Sequence, residues 1–150
     1  MSSSISFANT ISDISEYIDG DMDSIKRSLF LDKRIGKYSY INQSLGVHGG
    51  NLERDLKNLF LIGKKAKIDL TFLNSVIKHN INRINWAKKN INNVIKKLNK
   101  NPKIIFFGLS YKKDTDFIRN SHTLKIINSL KDKAKLIVHD PVIKRYVSKK

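Results

Sequence analysis

Apolar residues return at three- and four-residue steps through the opening of the chain. Ile5, Ala8, Ile11, Ile14 and Ile18 mark one face, so residues 3 to 19 are predicted to form an amphipathic helix that stops at Gly20. Asp21 or Asp23 is placed to cap a second helix running to about Phe30. From Asp32 to Asn51 the periodicity disappears, and Gly36, Gly46, Gly49 and Gly50 punctuate a long connection of the kind that commonly carries function. A third helix is expected from Leu52 to about Lys65, with Gly63 near its end.

The longest element follows. Residues 70 to 99 contain neither Gly nor Pro, and Ile77, Ile84, Ile91 and Leu98 stand seven apart. Val76, Ala87, Val94 and Ile95 widen that stripe into a face that suits either a core-spanning helix or a helix at a dimer interface. Asn99-Lys100-Asn101-Pro102 breaks it, and the period changes at once. Lys103-Ile104-Ile105-Phe106-Phe107-Gly108 has strand character. Ser121 is placed to cap a helix carrying Leu124, Ile126, Ile127 and Leu130, and Leu136-Ile137-Val138 is strand-like again. This order describes one βαβ unit of a parallel sheet. Two strands cannot complete a doubly wound layer, so the C-terminal part has the pattern of the opening of a truncated domain.

Composition narrows the chemistry. At 150 residues the chain can form one compact unit or two small ones. The first residues show no signal-peptide pattern and no apolar run nears the roughly 20 residues needed to span a bilayer, which predicts a soluble, cytoplasmic protein without membrane partners. There is no cysteine, which removes disulfides and thiolate metal sites, and the four histidines show no paired ligand spacing. No metal site is expected. The formal net charge of +16 would suit a polyanion partner. Lys exceeds Arg roughly fourfold, however, whereas base- and phosphate-reading surfaces favour the planar Arg fork. The lysines are also spread along the whole chain, and Trp86 and the tyrosines show no stacking pattern, so nucleic acid ranks last among the partners considered.

The most informative run is Gly46-Val47-His48-Gly49-Gly50-Asn51-Leu52-Glu53-Arg54-Asp55. It resembles the active-site loop of the UDP-glucose/GDP-mannose dehydrogenase family, roughly Gly-Gly-x-Cys-x-Pro-Lys-Asp, with the nucleophilic cysteine missing. Three further segments are similar to that family and stand in its order: Ile5-Ser6-Phe7-Ala8-Asn9, Asp32-Lys33-Arg34-Ile35-Gly36, and the stretch from Phe107-Gly108-Leu109 through Lys112 and Asp114-Thr115-Asp116 to Arg119-Asn120-Ser121. Asp140-Pro141 closes the βαβ unit as it does in the family.

The resemblance implies a mostly α fold with a C-terminal α/β segment. Residues 1–99 would be the central helical dimerisation domain with one long helix, and residues 100–150 the start of the nucleotide-sugar-binding domain, a truncated Rossmann-like βαβ unit. It also implies NAD-dependent oxidation of a UDP- or GDP-sugar to the acid, through an aldehyde held covalently on cysteine. Carried across residue by residue, Asp55 matches the aspartate that handles the water. Arg34, Gly46, Gly49, Gly50 and Lys112 match substrate contacts, with Arg34 expected to reach a sugar nucleotide across a dimer. Arg54, in place of the usual lysine, and Arg119 match cofactor contacts. Taken without the family, Asp55 equally suits a helix N-terminus, Lys112 a solvated surface, and the glycines simple turns.

Several departures weigh against activity. The cysteine position falls on Asn51 or Leu52 according to the direction of counting, because the loop is one residue short, and neither residue can form a thioester. Phe117 stands where an aspartate is expected. The family's upstream substrate lysine and asparagine are not in the sequence, nor is any Gly-x-Gly-x-x-Gly turn, so no NAD is expected to bind this chain alone. The expectation is a truncated family member that is inactive by itself. Its alternatives are an assembly module forming a homodimer, or a heterodimer with a related chain, and a basic nucleic-acid binder.

Overall fold

A computed structural model describes residues 1–98 and 102–144. Among them are α1 (Ser2–Tyr17), α2 (Met22–Leu31), α3 (Asn51–Lys65), α4 (Thr71–Lys97), β1 (Lys103–Phe107), α5 (His122–Asn128) and β2 (Lys135–His139). The fold is mostly helical with a small two-strand parallel sheet, as the periodicity predicts. The predicted break at Asn99-Lys100-Asn101 lies outside the described residues. No helix among the described residues is long and apolar enough to cross a membrane.

Local chemistry explains the element ends. α1 stops two residues short of the expected 19, because Asp19 takes φ 54° and the Gly20 N–H turns back onto the Ser15 carbonyl at 2.7 Å. Asp21 begins α2 as its cap: its carboxylate accepts from the Asp23 and Ser24 N–H groups at 3.0 and 3.2 Å. The Ser24 hydroxyl, followed by those backbone bonds, holds the Asp21 carboxyl below its ordinary range. Asp69 does the same for α4, accepting from the Thr71 N–H at 2.9 Å and the Thr71 hydroxyl at 2.7 Å.

The chain packs as two compact units, one of Met1–Val47 with Leu52–Arg83 and one of His48–Asn51 with the residues from Ile84 onward. The border between them falls inside α4. The first unit buries Ile5, Ala8, Ile41, Val47, Leu56 and Val76. In the second, β1 and β2 pair in parallel register from Lys103 opposite Lys135 to Phe107 opposite His139. Ile126, Ile127 and Leu130 are buried there, in and just after α5, and Ser121 caps that helix by accepting from the Leu124 N–H.

Of its two sequence readings, the stripe along α4 departs from the core-spanning one. Ile77, Ile84 and Ile91 are only half-buried, and Val94 and Leu98 are exposed. The buried positions of α4 are Val76, Arg83 and Ala87. A guanidinium sits on the inner face because it has polar partners there.

Candidate functional site

The loop from Ser44 to Asn51 is held in two parts. In the first unit, Asn80 projects from α4 and clasps one residue through both its backbone polar groups: its Oδ1 accepts from the Val47 N–H at 2.6 Å and its Nδ2 donates to the Val47 carbonyl at 2.8 Å. Three residues further along the helix, Arg83 donates through Nε to the Ser44 carbonyl at 2.9 Å and pairs through Nη1 with Asp13. The Ser44 N–H in turn donates to Asn9 Oδ1 at 2.7 Å, and the Gly46 N–H to Ser44 Oγ at 3.2 Å. These partners satisfy backbone groups in a stretch where Gly46 and Val47 are buried and no helix or strand can do so. Gly46 adopts φ +100°, and a Cβ there would overlap Asn80 Oδ1, so glycine is required on two counts.

In the second unit, residues 48–51 pack on the long loop that leaves β1. Gly49 has φ +89°, and a Cβ would stand 2.5 Å from the Tyr111 ring. Tyr111 meets Phe117 edge-on with centroids 5.6 Å apart, and His48 lies against both Tyr111 and His122 at centroid distances of 6.3 and 5.1 Å. Asn120 Nδ2 donates to the Gly49 carbonyl at 3.4 Å. Gly50 is different, since a Cβ would meet Phe117 at an ordinary 3.7 Å.

That loop springs from the C-terminal end of β1, the edge at which parallel α/β sheets take ligands. Gly108 (φ +90°) leads into it, and the Asp140 carboxylate closes it: Oδ2 accepts from the Leu109 N–H at 2.7 Å, and Oδ1 from the Val142 and Ile143 N–H groups at 2.9 Å each. The Leu109 bond, then the Ile143 bond, holds the Asp140 carboxyl below its ordinary range. Lys112 and Arg119 lie exposed on this loop, with the Lys112 Nζ 6.0 Å from the Tyr111 ring centre. Asp114 and Asp116 are exposed on the same loop.

The other candidates belong to the first unit. Arg34 is exposed and forked onto Asp32, with Nη2 2.6 Å from Oδ2 and Nε 3.0 Å from Oδ1. That pairing, led by the Arg34 side chain, lowers the Asp32 carboxyl from its ordinary value and raises the guanidinium. Arg34 lines a cleft of about 420 Å³ with Ser3, Phe7, Leu29 and Ile41. Asp55 and Arg54 pair with one another, Oδ1 to Nη2 at 2.9 Å, on the first turns of α3. Asp55 borders a second cleft, about 250 Å³ and lined mainly by apolar side chains, among them Leu52, Leu56 and Phe72. Ser3 lines both clefts. Asn51 opens α3 and Leu52 follows it, so both candidate cysteine positions are the start of a helix.

Among known proteins, the model of the UDP-glucose/GDP-mannose dehydrogenase family's central domain matches residues 1–82, and that of the family's UDP binding domain matches residues 105–150. The chain belongs to this family. It is 31% identical over 143 residues to the UDP-glucose 6-dehydrogenase of Rickettsia bellii, covering 95% of this chain and 33% of that protein. Against the UDP-glucose 6-dehydrogenase YwqF of Bacillus subtilis the identity is 29%, covering 95% of this chain and 32% of the relative. This dehydrogenase-family chain thus spans about a third of the length of the curated relatives it matches. It shares the fold of a UDP-glucose dehydrogenase from Pyrobaculum islandicum, with a TM-score of 0.85 at 24% identity, covering 99% of this chain and 37% of that one.

Sequence patterns pointed to the glycines and missed what holds them. Asn80 and Arg83 carry a signal in retrospect: with Val76 and Ala87 they stand at four-, three- and four-residue steps, which puts two polar residues on an otherwise apolar helix face. Asn9 and Tyr111 lie within the quoted motifs, but nothing local shows that their partners are Ser44 and Gly49.

Proposed function

We propose that this chain is a sugar-nucleotide-binding portion of a UDP-glucose/GDP-mannose dehydrogenase-type protein that does not carry out ordinary acid formation. The observation that carries this reading is the cluster at the end of β1. There Gly49 is packed on Tyr111 without room for a side chain, while Lys112 and Arg119 stand exposed on the same loop as cations for a diphosphate. A UDP-sugar is the favoured ligand, since the UDP binding domain of the family matches this region. Arg34, Gly46 and Gly50 are further substrate contacts in this reading, and Asp55 is the water-handling carboxylate.

The chemistry stops short of acid formation for a stated reason. A two-stage oxidation needs the aldehyde held covalently between hydride transfers, and the loop offers Asn51 and Leu52 in place of a thiolate. NAD would supply the hydride acceptor in the family, with Arg54 and Arg119 as the matching contacts. The geometry does not fit a dinucleotide cradle here: β1 leads into the extended loop 108–121 rather than a tight glycine turn, and Arg54 already shares the Asp55 carboxylate. No step is routed through NAD. Calorimetric titration should show UDP-glucose binding, and NAD plus UDP-glucose should give no NADH. Absence of binding, or steady NADH formation, would overturn this reading.

A second reading, pairing with itself or with a related chain, is favoured by the apolar side chains that α4 leaves exposed, Phe72, Ile81 and Val94, and by Leu98 just after it. Light scattering at micromolar concentration tests it, and a strictly monomeric chain would count against it.

A further inference from the structure

We propose that Asn80 is a positioning residue, which sets the Gly46-Val47 backbone in its receptive conformation before any ligand arrives. The inference rests on the sugar-nucleotide reading above. A side-chain amide is the group that can donate and accept at once on neighbouring atoms. Here it spends both functions on the two polar atoms of one residue, Val47, and so acts as an added strand would, at a place where none runs.

The site is built around this clasp. Gly46 lies directly under Asn80 Oδ1 at a φ that side chains avoid, so the two residues specify one another. Arg83, nearly as deeply buried as the loop itself, fixes the Ser44 carbonyl from the next turn of α4, and Asn9 fixes the Ser44 N–H from α1. The backbone on either side of Gly46 is therefore fixed by side chains from two helices. Ordering a glycine-containing loop only when ligand binds costs conformational entropy, and a clasp that orders it beforehand removes that cost from binding. Asn80 engages the Val47 backbone through both its oxygen and its nitrogen, so its effect on a ligand is through the loop.

The test uses the full chain as wild type, Asn80→Ala and Asn80→Asp, with amide hydrogen exchange and titration with UDP-glucose. In wild type the Val47 amide should exchange slowly. In Asn80→Ala it should exchange about tenfold faster or more, the weight of a net hydrogen bond, while α5 amides keep their wild-type rates. UDP-glucose affinity should fall by about tenfold in the same variant. Asn80→Asp keeps the acceptor for the Val47 N–H and loses the donor to its carbonyl, so its Val47 amide should stay slow while its affinity falls partway. It carries the test if the alanine variant does not fold. Equal Val47 exchange in wild type and Asn80→Ala, or an unchanged affinity in both variants, would overturn the proposal. A wild type that binds no UDP-glucose sinks the sugar-nucleotide reading instead, and the clasp is then decided by exchange alone.

Discussion

Residues 44–47 and residues 48–50 are consecutive in the chain and are held by opposite kinds of chemistry. The first stretch is fixed by directional hydrogen bonds from Asn9, Asn80 and Arg83. The second is fixed mainly by ring packing, Tyr111 against Gly49 and Phe117 beside Gly50, with one longer hydrogen bond from Asn120 to the Gly49 carbonyl. Both contain a glycine at positive φ, Gly46 under an amide oxygen and Gly49 under a phenol ring. The contrast teaches that an unusual backbone conformation can be imposed either by satisfying its polar groups or by removing the space for anything larger. The two modes fail differently. A hydrogen-bonded segment loses its shape when one partner goes, whereas a packed one loses it when something is added.

The largest expected effect comes from breaking the polar side. Arg83→Ala should cost about 3 kcal/mol, because it leaves the Ser44 carbonyl without its donor and opens a cavity on the inner face of α4. Urea denaturation measures it, and a loss within experimental error of zero would mean the guanidinium is not what holds the loop. Next, on the packed side, Gly49→Ala should cost about 2 kcal/mol, combining a disfavoured φ with the collision at Tyr111. Adding Tyr111→Ala should recover the steric part and leave the backbone part, which a double-mutant cycle would resolve.

Asp140 is expected to act more weakly and to show its effect in pH. Its carboxyl is depressed in the folded chain by backbone N–H donors, so its contribution is complete above the ordinary carboxylate value of 3.8 and is lost as pH falls through the depressed one. Asp140→Asn should lower stability at neutral pH on the order of 1 kcal/mol, at the low end for a charged acceptor because water competes. It should also remove part of the stability change below pH 4, a range set by the same ordinary value. An acid limb that keeps its full slope would assign the effect to another group. The smallest change belongs to Gly50→Ala, which meets only an ordinary contact and should stay within about 0.5 kcal/mol of wild type. A large loss there would show that Gly50, like Gly49, answers to the rings.

What could be learned from sequence follows the range of the forces involved. The caps were legible, as Asp21 or Asp23 for α2 and as Ser121 for α5, because a cap bonds to residues two or three positions away, and the strands followed from a change of period at Pro102. The absence of cysteine could be read directly. The clasp was not legible because Asn80 and Val47 are far apart in sequence, and the polar atoms that justify Arg83 on a buried face belong to Asp13 and Ser44. The same holds for the glycines. Their spacing marked a loop, but only the neighbours at Asn80 and Tyr111 distinguish Gly46 and Gly49, where a side chain cannot fit, from Gly50, where it can.

Ser3 lies exposed where the Arg34 cleft and the Asp55 cleft share a wall, in a chain without a single thiol. Ser3→Cys would therefore create a unique attachment point, and one fluorophore there would sense occupancy of either cleft. The cysteine-free background thereby makes the chain ready for single-site labelling without any prior removal of native thiols.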